Sequence, residues 1–136
     1  MRAITQSDFR NAAKRHWDDA EYLLRDNRLA NADQLFGLSA ECALAAVMLL
    51  FTSIKKLKKN YKFHINELWD KFITFAEGRN AIKYTYPLRA SNPFSNWSVE
   101  QRYYNGTSIT KEIVDEHMKA AKTVKGILNK AILDGV

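Results

Sequence analysis

Between Leu35 and Phe51 the sequence is apolar on almost every side. Leu35, Phe36, Leu38, Cys42, Leu44, Val47, Met48, Leu49, Leu50 and Phe51 leave no broad polar stripe. A surface helix is apolar along one face only, whereas a helix apolar nearly all round is enclosed by its neighbours. Gly37, Ala40, Ala43, Ala45 and Ala46 are small and let neighbouring helices approach closely. The longest unbroken apolar run, Cys42 to Phe51, falls well short of the roughly 20 residues that span a bilayer. The segment from Asn31 to Thr52 or Ile54 is therefore predicted to be the central helix of a bundle. Gln34, three residues after Asn31, stands close to capping-box spacing.

The rest of the chain supplies helices to enclose it. Phe9, Ala12, Ala13, His16, Trp17, Ala20, Leu23 and Leu24 recur at three-and-four spacing, which predicts a helix over Ser7–Asp26. Ser7 is its expected N-cap, and Arg25 to Asn31 is a polar break. Ile65, Leu68, Trp69, Phe72, Phe75 and Ala76 stripe a helix over His64–Glu77, stopped by Gly78. Ile109, Ile113, Val114, Ala121, Val124, Ile127, Leu128 and Ala131 stripe a last helix, from Thr107 or Thr110 to Ile132. Lys55 to Lys62 holds five lysines and reads as a solvated loop, some of them complementing a helix C-terminus. Arg79 to Tyr104, broken by Pro87 and Pro93, reads as irregular, with a short helical turn from Ser98 because Gln101 follows at capping-box spacing. The fold expected is all-α: an antiparallel four- to five-helix up-and-down bundle in one domain, residues 1–136.

The lone cysteine, Cys42, has no internal disulfide partner and reads as a small buried hydrophobe in a reducing compartment. The N-terminus lacks a signal-type apolar core. A cytoplasmic location without membrane association is the expectation. Twenty-one basic and 15 acidic residues give a net charge of +6, which permits a nucleic-acid or acidic partner without requiring one.

Several residues could carry chemistry. Glu41 interrupts the apolar central helix, so it must be paired, hydrogen-bonded or protonated; it is either a structural ion pair or a pocket acid. His16, His64 and His117 each lie on or beside an apolar stripe, where histidine is a core or capping residue, an acid–base group or a ligand. No metal-ligand spacing joins them, and neither metal nor cofactor is expected. Arg102 lies in Trp97-Ser98-Val99-Glu100-Gln101-Arg102-Tyr103-Tyr104, where arginine can hold phosphate and Trp97 or Tyr103 can stack on a base. Alternatively Arg102 pairs with Glu41, Glu100 or a helix C-terminus to pin the long connection. Lys55, Lys56, Lys58, Lys59 and Lys62 form either a phosphate-attracting patch or an ordinary solvated run.

The order of four features resembles the HEPN family (higher eukaryotes and prokaryotes nucleotide-binding). They are the acidic–apolar segment Trp17-Asp18-Asp19-Ala20-Glu21-Tyr22-Leu23-Leu24; the central Ser39-Ala40-Glu41-Cys42-Ala43-Leu44-Ala45-Ala46; the opening His64-Ile65-Asn66-Glu67-Leu68; and Arg102-Tyr103 before the last helix. The resemblance implies an HEPN-like bundle, often a homodimer. It also implies either RNA cleavage of toxin or defence type, or a companion role beside a small nucleotidyltransferase. Nuclease members carry Arg, four to six residues, then His near a late helix start. Here Arg102 and His117 are 15 positions apart, and the only spaced pair, Arg10 and His16, falls in the first helix. Six helical steps turn the chain through about 600°, so that pair is split between faces. The expectation is a catalytically silent nucleotide- or RNA-associated binding or scaffold module, with a groove lined by Arg102, Tyr103, Glu41 and His64. The alternative is a metal-independent ribonuclease using Arg102 with His64 or His117. A third reading is plain RNA binding by the lysine patch.

Overall fold

The computed structural model describes residues 2–136. Five α-helices run in chain order: α1 (Gln6–Arg25), α2 (Leu29–Met48), α3 (Ile54–Asn60), α4 (Ile65–Glu77) and α5 (Lys111–Leu133). Three 3-10 segments, Ile82–Leu88, Pro93–Asn96 and Val99–Tyr103, lie between α4 and α5. Among the described residues there is no strand, and no helix is long and apolar enough to cross a membrane.

The α1 start is set by a capping box. Thr5 Oγ1 accepts the Asp8 N–H, and Asp8 Oδ2 accepts the Thr5 N–H at 2.8 Å. The N-cap is thus Thr5 rather than Ser7. The Arg2 guanidinium, and then the Thr5 N–H, hold the Asp8 carboxyl well below the usual carboxylate range. At the other end Asn27 takes a left-handed conformation at φ 57°. Its N–H donates to the Leu24 carbonyl at 3.0 Å, and the Arg28 N–H donates to the Leu23 carbonyl at 2.9 Å. These bonds are those of a Schellman motif, and asparagine tolerates the left-handed position better than most residues. The polar break therefore collapses to a tight turn, and α2 begins at Leu29, ahead of the expected Asn31.

The central position of α2 is as expected. Phe36, Ala40, Ala43, Leu44, Ala46, Val47 and Met48 are fully enclosed, and α2 packs on α1, α4 and α5. The bundle expectation is corrected in its count and layout. Among the described residues there are eight helical segments rather than four or five, so the four- to five-helix up-and-down bundle does not hold. Lys55–Lys62, read as a loop, is mostly α3: Ser53 caps it by accepting the Lys56 N–H at 3.2 Å, and buried Leu57 anchors it. The connection after α4 is not irregular either. Tyr84, Leu88, Phe94 and Trp97 are buried from it, and both α4 and α5 pack on its first two segments. Four large apolar side chains within fourteen residues cannot be left in water. The connection becomes part of the core and separates the helices that a simple bundle would pair. The capping box of Ser98 with Gln101 forms as read.

Candidate functional site

Two acid–histidine pairs hang from α2, and they differ in access. The first is sealed. Asp33 and His117 are both fully buried, with Oδ1 and Nδ1 2.6 Å apart. Asp33 Oδ2 accepts from Gln101 Nε2 at 2.7 Å. On its far side His117 Nε2 meets Asn96 Oδ1 at 2.7 Å and the Pro93 carbonyl at 3.1 Å. Both ring nitrogens thus face oxygen acceptors, an arrangement satisfied in full when the ring donates twice. The imidazole stacks on Phe94, with centroids 5.1 Å apart. Trp97 completes the network by donating its Nε1–H to the Asp33 carbonyl at 3.1 Å, while its indole fills the space over Gly37 that a Cβ would occupy. Gln34 donates from Nε2 to the Ser98 carbonyl at 3.3 Å, and its Oε1 is the one buried side-chain polar atom without a partner among the described residues. This network pins the long connection to α2 and α5.

The second pair is open. Glu41 Oε1 accepts the Ile65 N–H at 2.9 Å and lies 3.1 Å from His64 Nδ1. His64 is the α4 N-cap but makes no side-chain capping bond of its own. Glu41 reaches across from α2 to do that work, placing a carboxylate at the positive end of α4. Burial pushes the Glu41 carboxyl above its ordinary value, opposed by the nearby His64 and the Ile65 N–H. Its Oε2 receives no hydrogen bond among the described residues. The His64 side chain is 52% exposed, so solvent reaches the pair.

Glu41 and His64 line a cavity of about 370 Å³ with Phe9, Ala45, Leu57, Tyr61, Phe63 and Leu68 as apolar walls and Lys58 and Lys62 as cations. Local structure places each group. Tyr61 closes α3 and packs edge-on against Phe75, centroids 5.2 Å apart. Phe63 is held under Lys71 at 4.9 Å. Neither Lys58 nor Lys62 enters an ion pair among the described residues. Cys42, beside Glu41, is no nucleophile: burial and then the Glu41 charge push its thiol up to about 12.

The structure thus brings together Glu41, His64, Lys58 and Lys62, and disperses the other expected site residues. Trp97 and His117 belong to the sealed network. Lys55, Lys56 and Lys59 are exposed on α3. Arg102 is exposed with its guanidinium 4.9 Å from the Tyr103 ring, and it pairs with neither Glu41 nor Glu100. The expected four-residue groove is therefore not lined by Arg102 and Tyr103. Instead Ser98, Val99 and Glu100 share a separate cleft with Lys62, Phe63 and His64. His16 is half-buried on α1, and burial lowers its pKa. No group of three or more His, Cys, Asp or Glu among the described residues could hold a metal ion.

Sequence reasoning missed Asp33 and Asn96, read Gln101 only as the capping partner of Ser98 and not as a donor to Asp33, and took Gln34 for a cap. The signal for Asp33 was present, since it is a second acid on an enclosed helix. Phe9, Tyr61 and Phe63 were not seen as pocket walls because Phe9 lies on α1 and the other two in the α3–α4 connection, far apart in sequence.

No family model, no curated protein and no solved structure matches this chain. The description of the fold as HEPN-like is accordingly left without support, and the all-α architecture stands as described above.

Proposed function

We propose that the chain is a nucleotide- or RNA-associated binding module without catalytic activity, and that the cavity between α1, α2, α3 and the start of α4 seats the nucleotide. One observation carries this reading: aromatic walls, a carboxylate with a spare oxygen and two lysines without ion-pair partners converge on a single cavity. Its 370 Å³ lies within the usual range for small-molecule sites. A base has flat faces that suit Phe9, Tyr61 and Phe63. Glu41 Oε2 is an acceptor for a ring or exocyclic N–H of the base. Lys58 and Lys62 supply the charge a phosphate needs. Calorimetric titration with purine and pyrimidine mononucleotides, and with the matching nucleosides, tests the reading. Binding of at least one nucleotide, weakened tenfold or more without the phosphate, is expected. Failure of every nucleotide to bind would remove it.

A second reading, metal-independent ribonuclease chemistry with Arg102 and a histidine, narrows to His64. His117 is sealed and already engaged at both ring nitrogens, whereas His64 is open to solvent beside Glu41. Cleavage of RNA in EDTA that Arg102→Ala and His64→Ala each abolish would establish it. The homodimer and the nucleotidyltransferase companion belong to the leading proposal. Sedimentation of the chain, alone and mixed with such an enzyme, tests them.

A further inference from the structure

A second cavity, of about 550 Å³, runs between the first half of α1 and the last half of α5. Arg10, Lys14 and Lys125 line it with the carboxamides of Asn11 and Asn129, and no carboxylate lines it. The cations are ordered. Arg10 and Lys14 are one turn apart on α1, roughly 6 Å along the axis, comparable with the phosphate repeat of an extended single strand. Lys125 answers them from α5. Its ammonium is held 4.1 Å from the Trp17 ring centroid, a cation–π contact that fixes its direction. Burial also strips it of water and lowers its pKa, against the opposing pull of Asp18 and Glu21. A partly dehydrated cation gains from an incoming anion.

The acids nearby do not close the groove. Asp18 bridges Lys14 at 2.6 Å, but both side chains are more than half exposed, and such a pair exchanges readily. Arg10 enters no ion pair among the described residues.

We propose that the α1–α5 groove is a second anion site, which takes the phosphate backbone of a single-stranded nucleic acid. Arg10, Lys14 and Lys125 contact phosphates, and Asn11 and Asn129 donate to backbone or sugar oxygens. The site is independent of the nucleotide cavity, although Phe9 lines the one and Arg10 the other, so both flank the same turn of α1. Contacts of this kind position a strand without reading its sequence.

Fluorescence anisotropy with short labelled single-stranded RNA and DNA, at several salt concentrations, tests the proposal. The variant Arg10→Gln/Lys14→Gln/Lys125→Gln should bind at least about tenfold more weakly. Its salt slope should fall by about 2, from three phosphate contacts at roughly 0.7 each. Asn129→Asp, which adds a negative charge and removes no cation, should weaken binding too, and it leaves the Trp17 contact intact. Lys55→Gln/Lys56→Gln/Lys59→Gln removes equal charge from α3 and should change affinity far less. RNA and DNA of equal length should bind alike, as backbone recognition requires. The proposal is overturned if wild type binds neither strand at low salt, or if the groove variant binds like wild type. It is also overturned if the two triple variants weaken binding equally, which would reduce the effect to net charge. The nucleotide cavity keeps Lys58 and Lys62 in all these variants, so mononucleotide titration reads its fate separately.

Discussion

Asp33 and Glu41 stand eight residues apart on α2, roughly 12 Å along its axis, and each meets a histidine from a distant element. In outline the two pairs are alike. In surroundings they are opposites. Around Asp33 and His117 both carboxylate oxygens and both ring nitrogens have partners, and neither side chain touches solvent. Around Glu41 one oxygen caps a helix, the other has no hydrogen-bond partner among the described residues, and the histidine is half in water. A buried polar pair whose every bond is made can fix a structure but has nothing left to offer a ligand. A pair with a spare acceptor at the wall of an apolar cavity has.

The contrast breaks most visibly in stability. His117→Ala leaves Asp33 buried and short of its partner, and should cost about 3–5 kcal/mol. His64→Ala removes a half-exposed ring and should cost under about 1 kcal/mol. Urea unfolding of both variants measures the difference; equal losses would dissolve the distinction between the pairs. Next in size, Gly37→Ala drives a methyl into the Trp97 indole and should cost about 1–3 kcal/mol, seen as a lower denaturation midpoint with unchanged nucleotide affinity. Lys58→Ala/Lys62→Ala should behave in the reverse sense. Neither lysine has an ion-pair partner to lose, so stability should hold within about 0.5 kcal/mol while nucleotide affinity falls tenfold or more.

The smallest effect is a pH dependence. The Glu41 pKa is raised above 4.5, so near and above that pH the folded chain holds this proton more tightly than the unfolded one. Its contribution to stability is therefore greatest in acid and declines as pH rises toward the folded value. Glu41→Gln, which carries no charge, should gain on wild type in melting temperature as pH climbs from about 4 toward 7. A gap between the two proteins that stays constant across that range would show that Glu41 titrates normally.

What the sequence made legible follows from the same physics. The enclosed helix was readable because its apolar residues occupy every face. Glu41 was readable because a lone acid on such a helix must have a partner. Asp33 obeys the same logic yet escaped notice, since it sits near an expected helix start where acids are ordinary. The α3 lysines concealed a helix because one buried residue, Leu57, anchors it and charge dominates the pattern. The connection of Tyr84, Leu88, Phe94 and Trp97 looked irregular because 3-10 segments have no long period to detect. Its role in the core comes from contacts with Asp33, Gly37 and His117, each more than twenty residues away from the residue it meets.

The central claim is that ligand enters beside Glu41 and never beside Asp33. Amide NMR spectra recorded during titration with a mononucleotide test it most directly, since every residue reports at once. Shifts should be confined to Phe9, Glu41 and the stretch from Leu57 to Leu68, with Asp33, Trp97, Gln101 and His117 unmoved. Shifts centred on Asp33 and His117, or none anywhere at saturating nucleotide, would contradict the account.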